Sequence, residues 1–173
     1  MVSAAWIFFM EAGFFLLEAG AQRKKNVANI MIMNLMSASV ALVMWWFTGY
    51  AFGFSDNPTH FIGANGWVFA NSWVENIEYD HYIYFFFQFA FCTTTTSILS
   101  GAVSERMRLN SFLGYCALVA GFVYPVVTAW AWNAGGWLAI RNYHDFAGTG
   151  CIHLCGGVAA MWAAIICGPR YQK

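Results

Sequence analysis

Charged residues are scarce in this sequence. Only 9% of its 173 residues are Asp, Glu, Lys or Arg, whereas 60% are hydrophobic. Soluble domains carry about a quarter charged residues, so a water-soluble fold of this length would lack the polar side chains that its surface needs. The scarcity of charge excludes an ordinary soluble domain and predicts a protein whose surface is largely covered by the lipid bilayer.

Basic clusters are also few. The formal net charge is zero, and the longest run of basic residues is Arg23-Lys24-Lys25. Nucleic-acid binding needs Lys and Arg clustered on one face. We therefore expect no nucleic-acid partner.

The cysteines lie in apolar stretches rather than in loops, at Cys92, Cys116, Cys151, Cys155 and Cys167. This placement predicts small core side chains and not a disulfide framework. Cys151, His153 and Cys155 are close in sequence, but His153 lies about 200° around a helix from Cys151. We therefore expect neither a metal nor another cofactor.

Catalytic pairs inside the apolar stretches are missing as well, so we do not expect an enzyme. The two acidic residues of the first stretch, Glu11 and Glu18, are seven residues apart and share one helical face. Because lipid tolerates carboxylates poorly, that face is expected to pack inward against a partner helix or to line an aqueous vestibule.

The sequence does contain several long apolar segments. They run at about 2–19, 28–54, 81–103, 109–132 and 147–168. Each approaches the ~20 residues that cross a bilayer as a helix. The sequence predicts one all-α, multi-pass membrane domain over residues 1–173, with about five transmembrane helices. An odd number of spans suits one half of an inverted-repeat transporter.

Positive charge gives the orientation. The basic residues of one side are Arg23, Lys24, Lys25, Arg106, Arg108, Arg170 and Lys173, and the other side has Arg141. The first side is expected to be cytoplasmic, which places the N-terminus outside and the C-terminus inside. The outer side carries Asp56, Glu75, Glu78, Asp80 and Asp145 and is expected to concentrate cations slightly.

The last span combines Asp145 at its outer start with His153 about two turns deeper. An ionisable residue inside a membrane is a functional candidate, although a core histidine bonded to a backbone carbonyl beside close-packed glycines explains His153 equally well. For Asp145 we favour capping of free backbone N–H groups over direct contact with a ligand. The carboxylate would still lend negative potential to an outer vestibule.

Aromatic residues of the third and fourth spans also allow both a structural and a functional interpretation. Phe87 and Phe91 lie one helical turn apart, which fits core or lipid-facing positions and also a hydrophobic gate. Trp132 lies near the outer end of the fourth span, where tryptophan usually anchors a helix at the interface. An indole face can also bind a small cation with about 0.5–2 kcal/mol.

Four strings of the sequence are notable in combination, namely Gly13-Phe-Phe-Leu-Leu-Glu-Ala-Gly20, Lys25-Asn26-Val-Ala-Asn29-Ile, Gly101-Ala-Val-Ser-Glu105-Arg106-Met-Arg108 and Asp145-Phe-Ala-Gly. In their order and spacing they resemble the ammonium transporter (Amt/Mep/Rh) family. The resemblance extends from about residue 10 to Arg170 and identifies the chain as the N-terminal half of such a protein. It implies a trimer of eleven-span subunits, each with its own pore, in the plasma membrane.

The resemblance also implies roles for individual residues. Trp132 is similar to the family's outer cation-binding aromatic, and Phe91 to one of its two stacked gate phenylalanines, with Phe87 just above it. His153 is similar to the first of the twin pore histidines, and Asp145 to the carboxylate that supports the recruitment site. The second gate phenylalanine, the second histidine and the vestibule serine have no counterpart in these residues.

The function that follows is transmembrane transport of ammonium or ammonia through a hydrophobic pore. The alternative is a truncated, non-transporting family member that is inert or that modulates longer subunits in a mixed trimer. The resemblance therefore leaves a homotrimer and a mixed trimer as the expected assemblies.

Overall fold

The computed structural model of the chain describes residues 1–65 and 79–170, except for the side chains of Tyr79 and Asp80. Within these ranges all regular secondary structure is helical. Of the predicted acidic outer residues, Glu75 and Glu78 lie outside the described part of the chain, as does the Asp80 side chain.

Five helical segments are long and apolar enough to cross a membrane, and we number them span 1 to span 5. They are Val2–Ala21, Lys24–Phe54, His81–Val103, Leu109–Ala131 and Thr149–Cys167. The prediction of an all-α, multi-pass membrane protein with five spans is thereby confirmed, and the span ends lie within a few residues of the predicted ones.

The spans are built from shorter regular pieces. The α-helices are Val2–Ala21, Val27–Met44, Tyr50–Phe54, Tyr79–Val103, Leu109–Leu118, Tyr124–Ala131, Trp137–Ile140 and Cys155–Cys167. Three π-helical segments join some of them, namely Trp45–Gly49, Val119–Val123 and Thr149–Leu154, and a short 3-10 turn, Lys24–Asn26, precedes the second α-helix.

Span 3 is the centre of the structure because spans 1, 2 and 5 all pack against its helix. We call Cys92 to Ser100 the inner part of span 3, and within it Cys92 to Ser97 are buried without interruption. Cys92, Cys116 and Cys151 are buried, and all five cysteines are free thiols, as the sequence predicted. Small side chains at these positions let the helices approach closely.

The two glutamates of span 1 face span 3. Glu11 and Glu18 are 4% and 6% exposed. Ser97 donates a hydrogen bond of 2.5 Å to Glu11, and Ser100 donates one of 2.6 Å to Glu18. This geometry confirms that the glutamate face packs inward against a partner helix, and the hydroxyl donors replace the water that the carboxylates lose.

The π-helical segments of spans 2 and 4 face each other. Pro125 has no N–H, so the carbonyl of Gly121 cannot receive the usual helical hydrogen bond from it. Thr48 of span 2 donates a hydrogen bond of 2.8 Å to that carbonyl instead. At Gly49 an added Cβ would lie 2.8 Å from the carbonyl oxygen of Ala120, so this close contact requires glycine. The missing hydrogen bond is therefore replaced from the neighbouring span.

Charged side chains join the loops at one end of the bundle. Glu105 accepts hydrogen bonds from Asn26 at 2.6 Å and from Arg23 at 3.2 Å, and Arg170 lies 3.8 Å from its other oxygen. The hydrogen bond from Asn26 and the neighbouring Arg23 lower the pKa of Glu105 to about 2. Basic residues that the sequence assigned to one side of the membrane thus lie together, and we call this end the basic end.

Candidate functional site

Asp145 caps the start of span 5. Its Oδ1 accepts hydrogen bonds from the backbone N–H groups of Gly148 and Thr149, and its Oδ2 accepts from those of Gly150 and Cys151, all at 2.8 to 2.9 Å. The carboxylate therefore satisfies the free N–H groups of the helix start. The capping role favoured from the sequence is what the structure shows.

Gly148 makes this cap possible. Its φ is +86°, a left-handed conformation that favours glycine, and it turns the chain so that successive N–H groups face Asp145. Burial raises the pKa of Asp145, but the N–H groups of Cys151, Gly150 and Gly148 outweigh that effect and hold the pKa below its usual value. The carboxylate is therefore ionised at neutral pH.

Asp145 also fixes the orientation of the Trp132 indole. The Trp132 Nε1–H donates a hydrogen bond of 2.7 Å to the backbone carbonyl oxygen of Asp145. The indole ring lies against Phe91, with ring centroids 5.7 Å apart, and Phe91 meets Phe87 edge to face at 5.0 Å. Four of the five predicted site residues thus form one contiguous row across spans 3, 4 and 5.

A cavity of about 440 Å³ opens along this row, and we call it the aromatic cavity. It is lined by Phe87, Phe91, Trp132 and Asp145, together with Tyr84, Gln88 and Phe146. The last three were not predicted. A polar Gln88 within an apolar run, one turn after Tyr84, was the available indication, whereas the position of Phe146 depends on the loop before span 5.

Gln88 contributes a buried polar group to the aromatic cavity. It is 5% exposed and donates a hydrogen bond of 3.0 Å to the Tyr84 hydroxyl. Its Oε1 has no hydrogen-bond partner within the described part of the chain. A buried acceptor of this kind favours an occupant that carries N–H donors.

A wider cavity of about 690 Å³ lies next to the aromatic cavity. The two share Tyr84 and Trp132, and the wider one also contains Asp56 and Asn57. A carboxylate, amide oxygens and aromatic faces give it cation-accepting chemistry. The shared lining residues place the two cavities side by side, and the aromatic cavity extends to Phe91.

His153 is placed differently from the other predicted residues. The helix of span 5 begins at Thr149 as a π-helical segment, so His153 lies about one turn inside it rather than the expected two. Its side chain is exposed, and it is not among the residues that line the aromatic cavity. The site therefore ends, in this chain, on an open face.

The glycines around His153 divide between two environments. Gly156 packs against span 3, where an added Cβ would lie 3.1 Å from the carbonyl oxygen of Thr95, whereas Gly157 has open space around it. The small residues thus serve close helix packing on one side and leave room on the other. His153 itself is exposed, so it is not the buried core histidine that was one of the two alternatives, and its role in a pore stays a prediction.

A metal site is not supported. Among residues 1–65 and 79–170, no group of His, Cys, Asp and Glu side chains is arranged to hold a metal ion. What the arrangement offers is an aromatic row, an ionised carboxylate held by backbone N–H groups, and an exposed imidazole. These groups can bind a small cation and exchange hydrogen bonds with it.

Comparison with known proteins gives one consistent result. The model of the Ammonium Transporter Family matches residues 1–173. Ammonium transporter 1 member 3 of Solanum lycopersicum is 40% identical over 182 residues, which cover 100% of this chain and 38% of that protein.

Solved structures agree with the sequence match. A structure described as a sensor Amt protein superposes with a TM-score of 0.93 at 32% identity, covering 99% of this chain and 44% of that one. Mep2 of Saccharomyces cerevisiae superposes with a TM-score of 0.85 at 30% identity, covering 97% of this chain and 38% of that one. The chain spans less than half the length of these relatives.

Proposed function

This chain belongs to the ammonium transporter family, a family of transporters and not of enzymes, and we propose that it forms the N-terminal half of an ammonium-conducting pore. The observation that carries the proposal is the row Phe87, Phe91 and Trp132, with the indole anchored on Asp145. The row lines a cavity in a bundle of membrane spans, so it offers a binding place for a small cation at the entrance to an apolar passage.

The first step is capture of the cation. Ammonium approaches through the wider cavity, where Asp56 adds negative potential, and reaches the Trp132 face. Cation–π attraction of about 0.5–2 kcal/mol holds it there. Asp145 acts indirectly, because its oxygens are occupied by backbone N–H groups, so it contributes its charge and the orientation of the indole.

The second step is loss of a proton near Phe91, in which ammonium gives the proton to water of the solvent-open wider cavity and ammonia moves on inward. Carrying a charge through the bilayer interior costs several kcal/mol, whereas ammonia is neutral and small. The aromatic pair Phe87 and Phe91 is apolar and favours the neutral form. The buried Oε1 of Gln88 and the Tyr84 hydroxyl can accept hydrogen bonds from ammonium or ammonia as it passes.

The third step takes ammonia past His153. A neutral imidazole can donate and accept a hydrogen bond, so it can replace part of the hydration that ammonia loses. The exposure of His153 in this chain fits a pore whose other wall comes from a second half of a longer protein. That half would face span 5.

Family membership supports a proposal for the assembly and the location of the chain. The proposed assembly is a trimer, either of identical subunits or mixed with longer subunits, in the plasma membrane. The basic end, with Arg23, Arg106 and Arg170, would face the cytoplasm, and the two cavities would face outside. The N-terminus would then lie outside and the C-terminus inside.

The test is growth of ammonium-transport-deficient yeast on low ammonium. The 173-residue chain is expressed alone and, in parallel, joined in frame to the second half of the tomato relative, with His153→Ala and His144→Ala variants of each. His144 is exposed in the loop before span 5 and lines neither cavity. An immunoblot of membranes checks expression.

The proposal expects growth that survives His144→Ala and is lost with His153→Ala. If only the joined protein supports growth, the chain needs its second half but the pore assignment stands. Growth that is unaffected by His153→Ala would contradict the pore role of His153. Absence of growth from both proteins, with normal membrane expression, would contradict the proposed function.

A second function is favoured by the open face at His153. The chain would then mix into trimers of longer subunits and change their uptake without conducting by itself. Co-expression of the chain with the full tomato relative tests this alternative. A change in methylammonium uptake that persists with His153→Ala supports modulation, and unchanged uptake contradicts it.

A further inference from the structure

The basic end of the bundle holds a separate pocket of about 310 Å³, which we call the basic pocket. It lies between the start of span 2, with the loop residue Arg23 before it, and the loop that joins spans 3 and 4. Its polar lining is formed by Arg23, Asn26, Asn29, Ser104, Arg106 and Arg108, together with Glu105. None of these residues belongs to the proposed conduction path.

Hydrogen-bond donors predominate in the basic pocket. Three guanidinium groups and two side-chain amides line it. The amide Nδ2 of Asn29 donates to the sulfur of Met33 at 3.5 Å, and a thioether is a weak acceptor. The pocket therefore contains several strong hydrogen-bond donors. One of them is bound only to the weak thioether acceptor, and the donors are available to an occupant of the pocket.

Glu105 does not supply the missing acceptors. Its Oε1 already accepts hydrogen bonds from Asn26 and from both the backbone and the side chain of Arg23, and its Oε2 faces Arg170. Its negative charge is thus matched by those two arginines. The remaining positive charge of the pocket belongs to Arg106 and Arg108.

Arg106 and Arg108 have no carboxylate partner. Arg106 donates a hydrogen bond of 3.1 Å to the backbone carbonyl of Gly168, which is uncharged. Within the described ranges, the ion pairs formed by arginine involve Arg23 and Arg170 alone. Two guanidinium groups therefore line the same pocket without a neutralising anion.

Ser104 gives an independent indication of an occupant. It is 1% exposed and lines the basic pocket, and its Oγ has no hydrogen-bond partner among the residues that the structure describes. A buried hydroxyl without a partner costs free energy. Span 4 also begins beside the pocket, at Leu109, without a side-chain cap from Arg108, and a helix start of this kind favours an anion.

From these observations we propose that the basic pocket binds a phosphate group, supplied by the head group of an anionic phospholipid. Phosphate oxygens accept bidentate hydrogen bonds from guanidinium groups and further ones from hydroxyls and amides. The pocket lies where the membrane spans end, at the depth of lipid head groups, and its side is the one expected to face the anionic cytoplasmic leaflet. Free inorganic phosphate offers the same chemistry and is the other source to be tested.

The experiment measures lipid binding to the purified 173-residue chain in detergent. Native mass spectrometry counts bound phosphatidylglycerol and phosphatidylcholine, and thermal unfolding is followed with each lipid and with inorganic phosphate. The test variant is Arg106→Gln with Arg108→Gln. The matched control is Lys24→Gln with Lys25→Gln, which removes the same charge on the same side from residues that do not line the pocket.

The parent is expected to bind and to be stabilised by phosphatidylglycerol and not by phosphatidylcholine. The arginine pair variant should need about tenfold more phosphatidylglycerol for half occupancy, whereas the lysine pair variant should resemble the parent. Stabilisation by inorganic phosphate alone, if it is lost in the arginine pair variant, would support the phosphate site and show that its ligand is free phosphate rather than a lipid head group. Equal weakening in both pair variants would indicate general surface attraction and overturn the proposal, as would binding of neither compound.

Ser104→Ala keeps the test informative if the arginine pair variant does not fold. It removes the hydroxyl that lacks a partner, so the lipid-free protein should be as stable as the parent or more stable. Its stabilisation by phosphatidylglycerol should nevertheless be smaller. Unchanged lipid stabilisation in Ser104→Ala would show that the hydroxyl does not meet the ligand and would overturn the site as described.

Discussion

The two parts of span 3 differ in their side chains and in what those side chains do. The inner part uses polar residues to bind span 1, and the outer part uses aromatic residues to line a cavity. In the inner part, Ser97 and Ser100 are buried and bond Glu11 and Glu18 of span 1. In the outer part, aromatic side chains are half-buried and line a cavity beside Trp132. The contrast teaches that a buried carboxylate in a membrane span does not by itself mark a transport site.

The difference has a physical reason. Each oxygen of the Glu11 and Glu18 carboxylates accepts a hydrogen bond from a hydroxyl or from the Asn34 amide, so these groups hold helices together. The outer part keeps apolar ring faces and the buried Oε1 of Gln88 available. Polar groups that already have hydrogen-bond partners stabilise the fold, whereas polar groups without a partner are available to a ligand.

The largest effect is expected from Glu18→Ala. The substitution leaves the buried Asn34 amide without its acceptor and opens a space beside Gly101. We expect a loss of about 3 kcal/mol in unfolding free energy. Thermal unfolding of the purified protein measures it, with Glu18→Gln as the shape-conserving control. A melting temperature equal to that of the parent would contradict the structural role of the hydrogen bonds between Glu18 and the inner part.

Asp145→Ala should have the next largest effect. Four backbone N–H groups lose their acceptor, which corresponds to about 2 kcal/mol for a helix cap and its dipole term. Methylammonium uptake should also fall, because the loop that orients Trp132 loosens. Melting temperature and uptake are measured together, and Asp145→Asn should lie between parent and Ala. An unchanged melting temperature would contradict the capping account.

Trp132→Leu should affect uptake more than stability. Removing cation–π attraction of about 0.5–2 kcal/mol raises the KM for methylammonium by roughly twofold to thirtyfold. Trp46→Leu is the matched control, since Trp46 is an exposed indole of span 2. Equal KM values in the two variants would show that Trp132 is an interfacial anchor only.

The smallest effect is expected at the basic end and depends on pH. The pKa of Glu105 is lowered to about 2 from an ordinary value of 4.5, first by the hydrogen bond from Asn26. Because the folded-state pKa is the lower one, Glu105 stabilises the fold above pH 4.5, and this contribution is lost as the pH falls toward 2. The melting-temperature difference between parent and Glu105→Gln should therefore shrink between pH 7 and pH 3. A difference independent of pH would contradict the ion-pair account.

Much of the fold could be predicted from local patterns. Apolar length predicted the five spans, the seven-residue spacing predicted a shared face for Glu11 and Glu18, and a carboxylate before an apolar helix predicted the cap. Phe87 and Phe91 meet because they lie one turn apart on a helix. Each of these predictions depends on residues that are near one another in sequence.

The rest depends on contacts between distant residues. The contact of Trp132 with Phe91 and the hydrogen bond from Thr48 to Gly121 join different spans, and no spacing rule predicts them. The depth of His153 was overestimated because the loop and the cap delay the start of span 5 until Thr149. The roles of Trp132, Phe87, Phe91, Asp145 and His153 in conduction stay predictions.

The most direct test of the account compares His153→Ala with Glu18→Gln in the protein joined to the tomato second half. Initial methylammonium uptake is divided by the amount of folded protein, and melting temperature is recorded for each. The account predicts that His153→Ala loses about nine tenths of the uptake with an unchanged melting temperature, whereas Glu18→Gln melts lower and retains uptake per folded molecule. Retained uptake in His153→Ala, or lost uptake per folded molecule in Glu18→Gln, would contradict the separation of conduction, assigned to His153 and the aromatic row, from packing, assigned to the glutamates of span 1.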